Sequence, residues 1–131
     1  MRVLVIVCVM MCFCSCVKEE AIIDVEDFIG KYLTCDSIKI TGERTEQTIT
    51  KGRGTGLDIM LDTSRTYTVF SNPPKVYTYR IRKSKIYYWQ KRTDPHLGDF
   101  MTIVNKNNSQ LWLEYQDANT GVKTLYYYTA D

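Results

Sequence analysis

The stretch Tyr77-Thr78-Tyr79-Arg80-Ile81-Arg82-Lys83-Ser84-Lys85-Ile86-Tyr87-Tyr88-Trp89 decides the fold. Its side chains alternate with the period of two that a β-strand imposes, and Tyr, Ile and Trp are residues that pack well on a pleated surface. Lys83-Ser84 interrupts the run and reads as a two-residue hairpin loop. That loop pairs Ile81 with Ile86, Tyr79 with Tyr88, Arg80 with Tyr87 and Thr78 with Trp89. One face of the hairpin then carries Tyr77, Tyr79, Ile81, Ile86 and Tyr88, and the other Thr78, Arg80, Arg82, Lys85, Tyr87 and Trp89. The first face is the apolar one and is expected to face the core.

The same reading extends in both directions. Alternation bounded by turn residues predicts strands over 31–40, 44–50, 56–61, 66–71, 75–82, 85–91, 99–105, 110–116 and 122–129. Asn107-Asn108 reads as a second tight turn, because Asn tolerates positive φ, and it pairs Val104 with Leu111 and Phe100 with Tyr115. Residues 24–30 read as a short helical turn, with Asp24 as N-cap, Asp27 in the third position and Gly30 as terminator. No segment after it is long enough for a helical crossover, so the sheet is expected to be antiparallel with sequence neighbours paired. Eight or nine strands in that order leave two open edges unless the sheet closes. The expected fold is therefore all-β, a small up-and-down barrel of about eight strands behind a short N-terminal helical turn. A β-sandwich built from the same strands is the alternative.

The chain has 131 residues, enough for one domain. Nine of its ten tyrosines follow position 66, in the strand-rich part. Gly30-Lys31-Tyr32 stands where small bacterial lipocalin-like domains carry Gly-x-Trp, with Tyr32 in place of the Trp. Met60-Leu61-Asp62-Thr63-Ser64-Arg65-Thr66-Tyr67 resembles that family's hydrophobic-Asp-x-x-x-Thr-Tyr hairpin, and Tyr77 to Tyr88 resembles the hairpin after it. The resemblance covers residues 24–129. It implies a barrel whose interior holds either packed side chains or one small ligand, here without the disulfides of secreted lipocalins.

The first residues read differently. Arg2 precedes Val3 to Phe13, an apolar run of 11 residues. That is short of the roughly 18 needed to cross a bilayer and suits the hydrophobic region of a secretory signal. Phe13-Cys14-Ser15-Cys16 resembles a lipobox, in which small residues precede a Cys whose thiol takes a diacylglyceryl group before cleavage. Val17-Lys18-Glu19-Glu20 resembles the export signal of surface-exposed lipoproteins in some Gram-negative bacteria, and reads equally as a solvated tether. The expected organisation is a signal peptide at 1–15, a lipidated tether at 16–23 and a lipocalin-like β domain at 24–131. The resemblance implies a protein anchored in the outer membrane through Cys16, and exposed at the cell surface if the export signal acts. A metal or redox site at Cys12, Cys14 and Cys16 is the competing reading, but no His or carboxylate adjoins them.

Of the 17 basic residues only Arg2 lies in the leader, and all 15 acids follow it, so 16 cations face 15 anions after cleavage, a net side-chain charge of +1. That balance gives no support to a nucleic-acid or polybasic membrane role. The single histidine, His96, sits in a Pro-containing loop and has no second imidazole for a metal site. Cys35 lies in an alternating strand with no adjoining base to lower its pKa, so it reads as a buried thiol. Lys51-Gly52-Arg53-Gly54-Thr55-Gly56 leads into a strand rather than a helix and reads as an inter-strand loop, not a phosphate loop. Glu114 and Asp117 straddle a strand end and a turn, so their spacing carries no argument for a catalytic carboxylate pair.

The expectation is thus a non-catalytic protein with no cofactor and no metal. In one reading it takes a small apolar or amphiphilic ligand into the barrel, past Tyr77, Tyr79 and Tyr88. In the other it is an interaction, accessory or inhibitor protein with a filled barrel, engaging a protein partner through Arg80, Tyr87 and Trp89.

Overall fold

Lys75–Arg82 (β5) and Lys85–Trp89 (β6) form the expected hairpin in the computed structural model, which describes residues 22–90 and 99–131. Tyr79 pairs with Tyr88, Arg80 with Tyr87, Ile81 with Ile86 and Thr78 with Trp89. Lys83 and Ser84 both take positive φ, 47° and 57°, the left-handed pair that a two-residue loop needs to match strand twist. Tyr79 and Ile86 are buried, and Arg80 and Arg82 are exposed.

Seven further strands complete the sheet: Leu33–Thr41 (β1), Glu46–Thr50 (β2), Ile59–Leu61 (β3), Thr66–Val69 (β4), Asp99–Lys106 (β7), Gln110–Gln116 (β8) and Lys123–Ala130 (β9). From β3 to β9 each strand pairs antiparallel with the next. β1 closes the ring, pairing with β9 from Leu33↔Ala130 to Thr41↔Lys123 and touching β3 at Leu33↔Ile59. The result is a closed eight-stranded antiparallel barrel with β2 as an outer ninth strand, hydrogen-bonded to the second half of β1 from Ser37↔Thr50 to Thr41↔Glu46. Closure through β1 rules out the sandwich, which would need a second sheet.

The N-terminal turn is a single turn of 3-10 helix, Glu26–Phe28, shorter than the 24–30 expected. Asp24 still contributes, its Oδ1 accepting the Glu26 N–H at 3.0 Å. Gly30, at φ 83°, ends the turn and donates its N–H to the Leu61 carbonyl at 2.6 Å. Val25 and Phe28 are fully buried and plug the barrel floor in one cluster with Leu33, Leu61, Ile86, Leu111 and Leu113. Burying apolar side chains of this kind stabilises by roughly 1.5–3 kcal/mol each.

The β7–β8 register differs from the expected one. Ile103 pairs with Leu113 and Lys106 with Leu111, with a bulge between Ile103 and Asn105. Val104 is the extra residue, so Val104 and Phe100 point outward, each 42% exposed, while Met101 and Ile103 are buried. The turn also works differently from the reading of its asparagines. Neither takes positive φ; instead Asn107 Oδ1 accepts the N–H groups of Ser109 and Gln110 at 3.0 and 2.8 Å.

Arg65, in the β3–β4 turn, takes φ 66° and is exposed. A β-branched side chain is strained there, so Arg65→Val should destabilise the barrel by about 1–2 kcal/mol. Arg65→Gly should match or exceed the wild type, and thermal melts of the two variants check the ordering.

Candidate functional site: a tyrosine-lined cavity above a buried carboxylate

The upper half of the barrel interior is lined largely by tyrosines. Inward positions on β4, β6, β8 and β9 place Tyr67, Tyr88, Tyr115, Tyr126 and Tyr128 around a cavity of about 190 Å³. Leu57, Ile59, Val69 and Met101 complete its wall. The rings brace one another: Tyr67 stacks on Tyr77 at 5.6 Å, and both meet Tyr88 edge-on at 5.3 Å.

Burial pushes the phenols of Tyr67, Tyr88, Tyr126 and Tyr128 above their ordinary range. They therefore stay neutral hydrogen-bond donors at physiological pH. Tyr128 donates to the Leu57 carbonyl at 3.3 Å. Among the described residues Tyr67, Tyr88, Tyr115 and Tyr126 donate to no protein acceptor, and no fully buried side-chain oxygen lacks a partner. Apolar ring faces with donors at their tips suit a compact guest with one or two acceptors.

The structure separates the three tyrosines singled out in the sequence. Tyr88 lines the cavity. Tyr77 stacks behind it, against Tyr67 and Tyr88. Tyr79 points to the floor, where its hydroxyl donates to the Asp62 carbonyl at 2.6 Å and secures the β3–β4 turn. Arg80, Tyr87 and Trp89 lie on the outer face, where Tyr87 packs on Phe100 with ring centres 5.6 Å apart. Cys16 and the leader, like His96 with Asp94 and Pro95, lie outside the described residues.

Comparison with protein families, curated proteins and solved structures finds no match. The site must be read from its own chemistry. Tyr67, Tyr115, Tyr126 and Tyr128 were not among the site residues expected from the sequence, although the alternation in Leu125-Tyr126-Tyr127-Tyr128-Thr129 places Tyr126 and Tyr128 on one face. Among the described residues no three His, Cys, Asp or Glu side chains gather in a way that would hold a metal ion.

A buried carboxylate supports this wall of the cavity. Asp58, fully buried at the start of β3, accepts the Tyr32 hydroxyl at 2.6 Å, the Cys35 N–H at 2.9 Å and the Gly54 N–H at 3.0 Å. Burial alone would raise its pKa, but these hydrogen bonds and the Arg53 charge outweigh it and hold the carboxyl below its ordinary range. Arg53 lies over the Tyr32 ring at 4.7 Å and pairs with Asp131 at 3.2 Å. The Gly-rich segment is the expected inter-strand loop, between β2 and β3, and it folds back onto the barrel. Next to it, burial and the Asp58 and Asp36 charges push the Cys35 thiol up to about 12.

Two outcomes follow. Asp58→Asn should cost about 1–3 kcal/mol at neutral pH, because a donor amide replaces one acceptor of three donors. A carboxyl held low in the fold stabilises above its unfolded value, near pH 4, and that stability fades as pH falls. The gap between wild type and Asp58→Asn in denaturant melts should therefore narrow below about pH 4. For Cys35, iodoacetamide near pH 8 should label the thiol in denaturant and leave the folded protein unlabelled, as read by mass spectrometry.

Proposed function

We propose that this chain is a lipid-anchored, non-catalytic binding module of the outer membrane that takes a small apolar or amphiphilic molecule into the upper barrel. The observation that carries the reading is the cavity of about 190 Å³ lined by Tyr67, Tyr88, Tyr115, Tyr126 and Tyr128. The volume is below the roughly 300–1,000 Å³ of drug-sized pockets and slightly above the ~150 Å³ that accepts benzene. It suits a single ring or a short acyl chain bearing one hydrogen-bond acceptor. The Cys16 lipobox and the polar residues after it support anchoring, and the barrel follows the tether directly.

The rival reading, an accessory or inhibitor protein acting through its surface, draws on the outward cluster of Arg80, Tyr87 and Trp89 with Phe100. Native mass spectrometry of residues 21–131, purified without detergent, separates the two. The binding reading expects an excess mass that is lost on Val69→Trp, which fills the cavity, and retained on Tyr79→Phe, which touches only the floor. A bare polypeptide mass, with Val69→Trp as stable as wild type, would overturn it in favour of surface recognition.

A further inference from the structure

The near-neutral net charge hides a local concentration of cations on the β5–β6 hairpin. Arg80, Arg82 and Lys85 project from its outer face, and Lys83 occupies its tip. Arg82, Lys83, Lys85 and Tyr87 line a surface recess of about 330 Å³. Lys85 Nζ sits 4.7 Å over the exposed Phe100 ring, which in turn packs on Tyr87. The three ion pairs among the described residues, Lys39–Glu46, Arg53–Asp131 and Lys106–Asp27, involve none of these cations. Along the row that holds Lys85 the first acid is Glu114, two strands away beyond Thr102. Asp24, Glu26 and Asp27 belong to the capping turn, where Asp27 is engaged by Lys106.

The path of the chain joins this patch to the anchor. The Ile23 N–H donates to Ser84 Oγ at 2.8 Å, so the N-terminal segment leaves the barrel at the tip of this hairpin. Cys16 precedes Ile23 by seven residues. Even fully extended, that segment keeps the tip within about 25 Å of the lipidated residue.

We propose that the outer face of the β5–β6 hairpin docks on the anionic phospholipid surface that holds the protein's own anchor, with phosphate groups seated among Arg82, Lys83 and Lys85. The proposal rests on the lipid-anchored reading of Cys16. Cations beside the exposed Phe100 ring suit the boundary between headgroups and acyl chains, where an aromatic ring inserts and the charges meet phosphate. A charged patch supplies orientation that a flexible tether lacks. Docked in this way, the barrel lies on its side and its upper end, with the tyrosine cavity, stays clear of the anchor.

The test uses the processed full-length protein, reconstituted into vesicles of phosphatidylcholine alone or of an equimolar mixture with phosphatidylglycerol. Lysine acetylation is followed residue by residue by mass spectrometry. Lys83 and Lys85 should react severalfold more slowly on the anionic vesicles, and high salt should abolish the difference. Lys75 and Lys123, at the opposite end of the barrel, should react equally on both. Equal rates at Lys83 and Lys85 on both vesicles, with a lipid mass on Cys16, would overturn the docking surface alone. Absence of that lipid mass would overturn the anchored reading and the proposal with it. Protection that persists in high salt would mark an apolar rather than an electrostatic contact and would overturn the phosphate assignment.

Discussion

The Asp58 carboxylate holds together the one seam at which this barrel is thinnest. β1 is asked to do two things: its first residues meet β3, while its second half diverges to pair with β2. Only Leu33↔Ile59 links β1 to β3 as a strand pair. Beyond that point the Cys35 N–H has no strand opposite it, and a buried unpaired amide costs about 1–3 kcal/mol. Asp58 Oδ1 takes that hydrogen bond, while Oδ2 collects the Tyr32 hydroxyl and the Gly54 N–H. The neighbouring Asp36 carbonyl accepts the Lys51 N–H at 2.7 Å. A single acid thus replaces the missing ladder, and it tolerates burial because donors surround it.

The rest of the interior follows from this closure. Below the seam the plug of Val25 and Phe28 joins buried aliphatic side chains from β1, β3, β6, β7 and β8 in a packed floor. Above it the inward residues are mostly tyrosines, too large and too polar at the tip to interdigitate as leucines do. Their rings brace one another around a space that they do not fill. Tyr79 and Tyr88 are cross-strand neighbours on the same face, yet Tyr79 secures a turn and Tyr88 borders the cavity.

The β5–β6 hairpin was legible in sequence down to its residue pairs. Its alternation is unbroken, and a two-residue loop leaves one register that keeps Ile81, Ile86 and Tyr79 together. The β7–β8 hairpin was not. A one-residue bulge at Val104 swaps the faces of the residues on either side, and nothing in Thr102-Ile103-Val104-Asn105 distinguishes a bulge from regular pairing. Asp58 was equally hidden. An acid between Leu57 and Ile59 reads as an exposed strand residue, since its three donors come from positions 4, 23 and 26 residues away. The cationic patch was averaged out of a net charge because charge totals carry no position.

The sequence by itself determined the all-β class, the number and approximate bounds of the strands, and the face of the central hairpin that turns inward. These depend on local alternation and turn chemistry, which act over a few residues. Only the tertiary structure decided that β1 joins β9 and sets β2 outside, that Asp58 closes the seam, and that Tyr88 rather than Tyr79 borders the cavity. Each of those depends on contacts between residues far apart in the chain, where closure, bulges and the burial of a charge are settled by the whole ring of strands at once.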